Sequence, residues 1–395
     1  MTRNDRRAAP PSPRQLHFCP RVLCGAGVLA ELPGVLEPTN KYLLVTDEGI
    51  STAGLAKLVC DLIAARGIRH EVFDRVCVDP DVAIVEEAVA FAHETACTAV
   101  IGLGGGSSLD AAKAVATRLA WPNSLAEYGR GMEVPVPIAP LVAIPTTAGT
   151  GSEATRVAVI TDREQNEKMA IRGDALLPQL AVLDPDLLTT LPPRVAAECG
   201  ADALTHAIEA CVSKQASAWT DMLALAAIRS IGEYLPRLVS DPADAEAAEE
   251  MLLAANFAGQ AFTHAGLGLV HSLGEPLGAF HHTSHGLSCA LFLPVVMEYN
   301  LAAASPGYSR IAAALGENLE GMTIEGAATA SVASVRRLFA SVGLPASYRE
   351  ANIDFVLRSD MVDQVFPQYS TSCNPRHPKR EDVVRLFESL DSNPA

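Results

Sequence analysis

The stretch IGLGGGSSLDAAKAVA, residues 101–116, is the strongest local signal of fold in this chain. An apolar run leads into an amphipathic pattern that opens at Ser107, through the glycines Gly102, Gly104, Gly105 and Gly106. Glycines let the backbone approach a phosphate closely, and the amides of a helix N-terminus attract anions, so this unit predicts a pyrophosphate site. Its spacing is neither G-x-G-x-x-G nor that of a P-loop, and a glycine-rich turn with a serine cap is the structural alternative.

The same alternation of strand and helix extends on both sides of this segment. From about residue 21 to residue 180, short β-type runs alternate with amphipathic helical stretches, which is typical of parallel βαβ units. From about residue 192, Ala- and Leu-rich segments with helical periodicity replace them. We therefore expect a disordered lead-in at 1–18, a Rossmann-like α/β dinucleotide-binding domain at 19–192, and an all-α metal-binding domain at 193–395.

Composition limits the classes of partner. Of the 395 residues, 49% are hydrophobic and 19% are charged, which indicates a packed globular protein. The net charge of −16 argues against nucleic acid and against an anionic membrane surface. Nine scattered cysteines without a C-x-x-C pair, and no apolar run of about 20 residues, predict reduced thiols, a cytoplasmic location and no membrane span.

Two further features favour a nucleotide beside the glycine-rich turn. The segment IPTTAGTGSEAT, residues 144–155, follows an apolar run and carries hydroxyls that can contact a ribose, an amide or a diphosphate: Thr146, Thr147, Thr150, Ser152 and Thr155. For any one of them a polar turn is the alternative. Asp47, at the end of the first predicted strand, can accept from a ribose 2′-OH and repel a 2′-phosphate, which favours NAD over NADP. A helix N-cap is an equal alternative for Asp47.

The helical half carries a predicted metal site. Asp202 and His206 lie four residues apart in a helical pattern, so both project from one face and can bind one ion. His271 and His285 complete a set of three imidazoles and one carboxylate, which suits Fe(II) or Zn(II). Six of the ten histidines fall between residues 206 and 285, and such clustering favours a metal site over isolated structural histidines.

Taken together, these motifs resemble the iron-containing (group III) alcohol dehydrogenase family. The resemblance runs from about residue 20 to residue 390 and rests on GGGSSLDAAK (104–113), PTTAGTGSEAT (145–155), DPDLLTTLPP (184–193), GADALTHAIEA (200–210), HSLGEPLGAFHHTSHG (271–286) and NPR (374–376). It implies an NAD(P)-linked alcohol dehydrogenase or aldehyde reductase with a catalytic metal in the cleft between two domains. It also implies a homodimer or a larger homo-oligomer.

By position, the resemblance implies particular site residues. The metal ligands are Asp202, His206, His271 and His285. The cofactor-contacting residues are Gly105, Gly106, Ser107, Asp110, Thr146, Thr147, Thr155 and Lys168. From the local patterns, Asp47, Gly104 and Thr150 join that set.

Two departures from the family pattern stand out. Many members have a histidine where this chain has Glu275, for which we expect either a role in proton transfer or the orientation of a ligand imidazole. Arg156 stands where a proline is common, and we expect it to be a solvated or ion-paired arginine rather than a contact to an anionic substrate.

Other functions remain open from the sequence. A glycerol-dehydrogenase-like or dehydroquinate-synthase-like enzyme would also combine NAD with a metal ion. A synthase needs several cationic side chains for a phosphorylated substrate, and the segments around the predicted ligands offer few. A non-catalytic sensor of metal or nucleotide is the third possibility, with Glu275 as the remnant of lost chemistry.

Overall fold

The N-terminal half contains a parallel sheet. The computed structural model describes residues 20–165 and 167–391, so the predicted lead-in at 1–18 lies outside the described residues. The six strands are β1 (Arg21–Cys24), β2 (Lys41–Val45), β3 (Arg69–Phe73), β4 (Ala99–Gly104), β5 (Leu141–Pro145) and β8 (Leu180–Leu183). They pair in the order β1-β8-β5-β4-β2-β3, and every pair is parallel. This sheet confirms the predicted α/β class.

Helices connect these strands. They are α1 (Leu32–Val35), α2 (Glu48–Thr52), α3 (Leu55–Ala64), α4 (Val82–Glu94), α5 (Gly106–Ala120) and α6 (Leu125–Gly129). All six residues of β4 are buried, as expected for a central strand of a sheet that is covered on both faces. The chain leaves β2 toward β3 on one side and leaves β4 toward β5 on the other. The ends of β2 and β4 therefore flank a topological switch point, where α/β proteins bind ligands.

An antiparallel hairpin interrupts the parallel pattern. It consists of β6 (Val157–Asp162) and β7 (Glu167–Arg172) and forms a sheet of its own. The expectation of parallel units up to residue 180 was wrong for this segment, because four residues can join antiparallel strands but cannot cross over between parallel ones. Met169 and Ile171 are buried, and the intervening positions leave Lys168 and Arg172 on the other side of the strand.

The C-terminal half is helical. Its helices are α7 (Pro193–Val212), α8 (Ala218–Ser240), α9 (Ala245–Ala265), α10 (Leu269–His281), α11 (His285–Ala314), α12 (Ile324–Ser341), α13 (Ser359–Val365), α14 (Tyr369–Cys373) and α15 (Arg380–Glu388). Among the described residues no strand follows Leu183, which confirms the predicted all-α region. By length and composition α11 could cross a membrane, but 61% of its most apolar window is buried inside the protein. We therefore interpret α11 as a core helix.

A shared core joins the two halves. Leu44 and Val182 of the parallel sheet belong to the same buried cluster as Ala203 of α7 and Leu291 of α11. Burial of apolar surface is the main favourable term in folding, so this cluster holds the helical half against the sheet. A second cluster fills the opposite face of the sheet beneath α4, α5 and the hairpin.

Candidate metal and cofactor site

The glycine-rich turn lies at the carboxyl end of the sheet. Gly104 ends β4 with φ of 141°, and Gly106 begins α5. A Cβ on Gly104 would lie 2.7 Å from Ser108 Oγ, and one on Gly106 would lie 2.7 Å from Thr150 Cγ2. Glycine is therefore required at both positions. Gly105 is the N-cap of α5, which has no side-chain cap, so the serine cap of the structural alternative is absent. Ser107 lies in the first turn of α5, where free amides favour an anion.

Asp47 joins the two strand ends at the switch point. Its Oδ1 accepts a hydrogen bond of 3.0 Å from the amide of Ile50 and so caps α2. Its Oδ2 accepts one of 3.0 Å from the hydroxyl of Ser108 on α5. The capping alternative for Asp47 is therefore present in the structure. Its predicted contact to a ribose stays a prediction, supported by its position beside the glycine-rich turn.

The hydroxyl-rich loop packs against this turn. Thr150 contacts the position of Gly106, and Thr147 lies 3.6 Å from where a Cβ on Gly105 would stand. Thr146 and Thr155 are buried. Asp110 holds the loop from α5, because its two oxygens accept from Ser152 Oγ at 2.6 Å and from the amide of Val159 at 2.8 Å. The structure therefore brings both predicted cofactor segments together. Both carboxylate oxygens of Asp110, however, already accept hydrogen bonds from the protein.

A buried lysine that the sequence analysis left unassigned supports the same loop. Lys113 is 1% exposed, and its Nζ donates to the carbonyls of Thr155 and Val157 at 3.1 and 2.7 Å and to Thr155 Oγ1 at 2.9 Å. Burial lowers the pKa of Lys113 to about 8, although Asp110 and Glu153 act in the opposite direction. A lysine within an apolar helical pattern was the available signal, because lysine is almost never fully buried without partners.

Two other cationic residues of the hairpin region already have partners. Lys168, a predicted cofactor contact, forms an ion pair of 2.7 Å with Asp79. Arg156 pairs with Asp174 at 2.5 Å and donates to the carbonyl of Thr263 at 3.1 Å. The ion-paired interpretation of Arg156 is therefore present in the structure.

The three predicted histidine ligands lie around one carboxylate oxygen of the fourth, Asp202. Asp202 Oδ1 lies 3.3 Å from His285 Nε2, 3.5 Å from His206 Nε2 and 3.7 Å from His271 Nε2. Donors bonded at about 2.0–2.1 Å to one tetrahedral ion would be about 3.3–3.4 Å apart, so these spacings are close to those of a bound metal. Asp202, His206 and His271 are buried, whereas the side chain of His285 is 44% exposed and forms the open side.

The ring of His271 is oriented by a residue that the sequence analysis also left unassigned. Its Nδ1 is hydrogen-bonded at 2.6 Å to Glu209 Oε2. Glu209 is buried on α7 and also accepts from the amides of Gly268 and Val270, both at 2.7 Å, at the N-terminus of α10. A carboxylate on one ring nitrogen directs the other toward a metal. The signal was the spacing, since Glu209 follows Asp202 by seven residues on one helical face.

A buried polar atom of His271 also fits a metal ion, and the charges around it shift the pKa values of the predicted ligands. His271 Nε2 is buried and has no hydrogen-bond partner within residues 20–165 and 167–391, although it faces Asp202. Burial lowers the pKa of His206 to about 3. For His271 burial acts the same way, but Glu209 and Asp202 raise its pKa to about 10. Although burial opposes it, the nearby imidazoles of His206 and His285 hold the pKa of Asp202 well below its usual value.

Glu275 stands one helical turn after His271 on α10 and faces the basic side of the hairpin. Burial raises the pKa of its carboxyl group, which the charges of His285, His271, Lys168 and Arg172 oppose. In the described part of the chain Glu275 forms no hydrogen bond or ion pair. The role of orienting His271, which we had expected as one option for Glu275, belongs to Glu209. Proton transfer remains the option for Glu275.

A cysteine joins the predicted ligands. Cys289 Sγ lies 3.5 Å from Asp202 Oδ1 and 3.8 Å from His285 Nε2. The donor atoms of Asp202, His271, His285 and Cys289 all lie within 4.8 Å of one another, whereas His206 is not a member of that set. From the sequence, the cysteines were predicted only to be reduced thiols. The missed signal was that Cys289 follows His285 by four residues, one helical turn along α11.

Comparisons with known proteins agree with this geometry. The family model described as iron-containing alcohol dehydrogenase matches residues 19–185, and the C-terminal model of the Fe-containing alcohol dehydrogenase family matches residues 196–390. The NAD-dependent methanol dehydrogenase of Bacillus methanolicus is 35% identical over 94% of this chain and 98% of its own length. The lactaldehyde reductase of Escherichia coli K12 is 36% identical over 89% and 92%.

A solved structure extends the likeness to three dimensions. A crystal structure of 1,3-propanediol oxidoreductase superposes with a TM-score of 0.90 at 32% sequence identity, and the match covers 95% of this chain and 100% of that one. With both family models matched along nearly its full length and close relatives over most of theirs, this chain belongs to the iron-containing alcohol dehydrogenase family.

Proposed function

We propose that this enzyme transfers hydride between NAD and a small alcohol or aldehyde, in a reaction that requires a divalent metal ion. The observation that carries the proposal is the buried, unpartnered Nε2 of His271, directed at Asp202 and held from behind by Glu209. A buried polar atom without a partner costs free energy, so its retention here favours an ion at this point.

We assign metal binding to Asp202, His206, His271 and His285. Three imidazoles and a carboxylate suit Fe(II) and Zn(II) alike, and the ion present in the cell depends on supply as well as on affinity. Their spacing around Asp202 Oδ1 supports the assignment.

We assign the cofactor to the carboxyl end of the sheet, against the glycine-rich turn and the hydroxyl-rich loop. Asp47 Oδ2, beside that turn, supports NAD rather than NADP, because the 2′-phosphate of NADP would be repelled there. The methanol dehydrogenase relative is NAD-dependent by name, which supports the same choice. Replacing Asp47 with Ser should raise the activity with NADP relative to that with NAD.

In the proposed reaction, the metal ion and the nicotinamide supply the reactive groups, and the protein side chains orient them and move the proton. When bound, the metal ion polarises the substrate oxygen and the nicotinamide ring carries the hydride. Glu209 keeps the imidazole of His271 in one orientation, and Asp202 lies buried beside it. We assign transfer of the alcohol proton to a carboxylate oxygen of Glu275, which lies one helical turn after His271 and whose pKa burial raises. A Glu275→Gln variant should lose the corresponding limb of the pH–rate profile.

The substrate we propose is a small alcohol or its aldehyde. Methanol dehydrogenase, lactaldehyde reductase and 1,3-propanediol oxidoreductase are the relatives and structural neighbour by name, and all three names denote short-chain compounds. Arg156, beside the hairpin, is already paired with Asp174, so its guanidinium is not free to bind an anionic substrate group.

Two wider expectations also belong to the proposal. No disulfide occurs among the described cysteines, which supports the reducing cytoplasm as the location. The homodimer or larger homo-oligomer that the family implies would be tested by sedimentation of the purified protein.

The test is turnover of a substrate panel. Protein purified without oxygen would be analysed for metal and offered short alcohols, diols and aldehydes with NAD and with NADP, before and after addition of Fe(II) or Zn(II). We expect metal-dependent absorbance changes at the reduced-nicotinamide band with NAD. Stoichiometric binding of metal and NAD without turnover on any compound would contradict the proposal and favour a sensor.

A further inference from the structure

We propose that Cys289 supplies a sulfur donor to the bound metal ion, so that this centre combines oxygen, nitrogen and thiolate ligands. The inference rests on the proposed metal-dependent function and goes beyond it, because the set of one carboxylate and three imidazoles contains no sulfur. It predicts a centre that favours ions with an affinity for sulfur, such as Zn(II), over Fe(II).

The position of the sulfur matches that of a ligand. An ion bonded at about 2.3 Å to sulfur and about 2.0–2.1 Å to nitrogen or oxygen keeps these donors about 3.4–3.6 Å apart in tetrahedral geometry. Cys289 Sγ lies 3.5 Å from Asp202 Oδ1 and 3.8 Å from His285 Nε2. A displacement of a few tenths of an ångström would bring all three donors onto one ion.

The helices fix this position. His285 is the first residue of α11 and Cys289 lies one turn later, so both point from the same face of that helix toward α7. Cys289 is fully buried, as is its neighbour Asp202. A side chain locked in the core cannot leave the cluster without disturbing the packing around it.

A second, independent observation points to an ion at the same place. His271 Nε2 is buried, lacks a hydrogen-bond partner among the described residues and faces Asp202 Oδ1, the atom that Cys289 also approaches. His271 and Cys289 belong to one set whose donor atoms are all mutually within 4.8 Å, and no proton donor or acceptor of the described chain satisfies that imidazole nitrogen.

The arrangement creates a choice between His206 and Cys289. His206 Nε2 lies 3.5 Å from Asp202 Oδ1 but stands outside the mutually close set. An ion can therefore bind both residues, which gives five ligands, or exchange one for the other. When the thiol binds, the S–H bond breaks, the proton passes to solvent and the sulfur electron pair forms the bond to the metal, with no change of oxidation state.

Cobalt substitution tests the inference directly. Metal-free protein would be loaded without oxygen with one equivalent of Co(II), and its near-ultraviolet absorption would be compared with that of Cys289→Ser. We expect a sulfur-to-cobalt charge-transfer band in the wild type and its loss in the variant. The matched control is Cys211→Ser, since Cys211 is also a buried cysteine but lies on α7 outside the cluster, and its variant should keep the band.

Affinity supplies a second measurement. Competition with a chelator should show that Cys289→Ser loses about tenfold or more of its preference for Zn(II) over Fe(II), in the range known for groups that tune a metal site. X-ray absorption of the zinc-loaded wild type should show a sulfur neighbour at about 2.3 Å. That spectrum decides the question even if the variant fails to fold.

The outcomes separate this inference from the proposed function. Binding of Co(II) with a spectrum of nitrogen and oxygen ligands alone, unchanged in Cys289→Ser, would overturn the sulfur ligand and leave Cys289 as a weak hydrogen-bond donor to Asp202. Failure of the wild type to bind any of the three ions would overturn the metal-dependent function itself.

Discussion

Each half of this enzyme uses one buried charged side chain to hold a backbone segment near the proposed site. On the sheet side, Lys113 of α5 donates to carbonyl and hydroxyl oxygens of residues 155–157. On the helical side, Glu209 of α7 accepts from two amides at the start of α10 and from His271. Both are unfavourable to bury without partners, and both have three.

The difference between them lies in what they support. Lys113 donates to two backbone carbonyls and one hydroxyl. It therefore acts on a bound cofactor only by fixing the conformation of the loop. Glu209 bonds a predicted metal ligand directly, so it sets both the ring orientation and the basicity of the opposite nitrogen. We infer that substitutions on the cofactor side reduce ligand binding less than substitutions on the metal side.

The largest effect is expected at the carboxylate shared by all the donors. Asp202→Asn should reduce turnover by on the order of a thousandfold, because a bound ion supplies several kcal/mol and each 1.36 kcal/mol is a factor of ten. Metal content after dialysis should fall as well, while NAD affinity should persist. Asp221→Asn, which removes a carboxylate paired with Arg310 away from the cluster, should change neither. Full metal occupancy in Asp202→Asn would contradict the assignment.

Glu209→Gln should weaken metal binding by about 10- to 100-fold, the range for groups that orient a ligand. The side-chain amide of the glutamine places an N–H group among three donors that the carboxylate had accepted from. The start of α10 is therefore also disturbed. Chelator competition measures the metal affinity and fluorescence quenching measures NAD. Glu250→Gln on α9 is the control, since it changes the same group at a bond to Ser230. Equal metal affinity in the variant and the wild type would refute the orienting role.

Lys113→Met should weaken NAD binding by about tenfold while leaving metal content unchanged. The carbonyls of Thr155 and Val157 lose their donor, and each unsatisfied buried acceptor costs about 1–3 kcal/mol, so the loop should shift. Lys57→Met is the control, because Lys57 is exposed and pairs only with Asp61 in a surface ion pair. If metal affinity fell more than NAD affinity, the separation between the two halves would fail.

The smallest expected effect is a pH dependence of stability on the sheet side. Because burial lowers the pKa of Lys113 to about 8, below its ordinary 10.5, the unfolded chain binds more protons than the folded one between these values. The contribution of Lys113 to the free energy of unfolding therefore rises with pH in this window, by about 1 kcal/mol from pH 8 to pH 9. Denaturant unfolding at several pH values gives the free energy of unfolding of the wild type and of Lys113→Met. Between pH 8 and pH 9 this free energy should rise by about 1 kcal/mol more in the wild type than in the variant. Parallel pH profiles would contradict it.

Sequence patterns predicted the architecture because hydrophobic periodicity is local. The helix at residues 82–94 and the strand at 99–104 both lie in the region for which alternating helices and strands were predicted. The hairpin β6–β7 was missed because its pairing depends on a short turn within a region that otherwise alternates with helices.

The predicted site was less complete because its supports join distant parts of the chain. Asp202 and His206 share a helix turn, so their spacing was informative. Glu209 meets His271 across 62 positions and Cys289 meets Asp202 across 87, and no local pattern shows such contacts. The sequence shows that Glu209 and Cys289 lie in apolar helical patterns, but it does not show which residues they contact.

The most direct test of the account is a metal titration followed by turnover. Metal-free protein, saturated with NAD and a short alcohol in the absence of oxygen, would receive Fe(II) in steps while the reduced nicotinamide is monitored. We predict a rate that is near zero without metal, rises linearly and reaches a plateau at one ion per chain. A full rate in the metal-free protein, or no formation of reduced nicotinamide at any amount of added metal, would contradict this prediction.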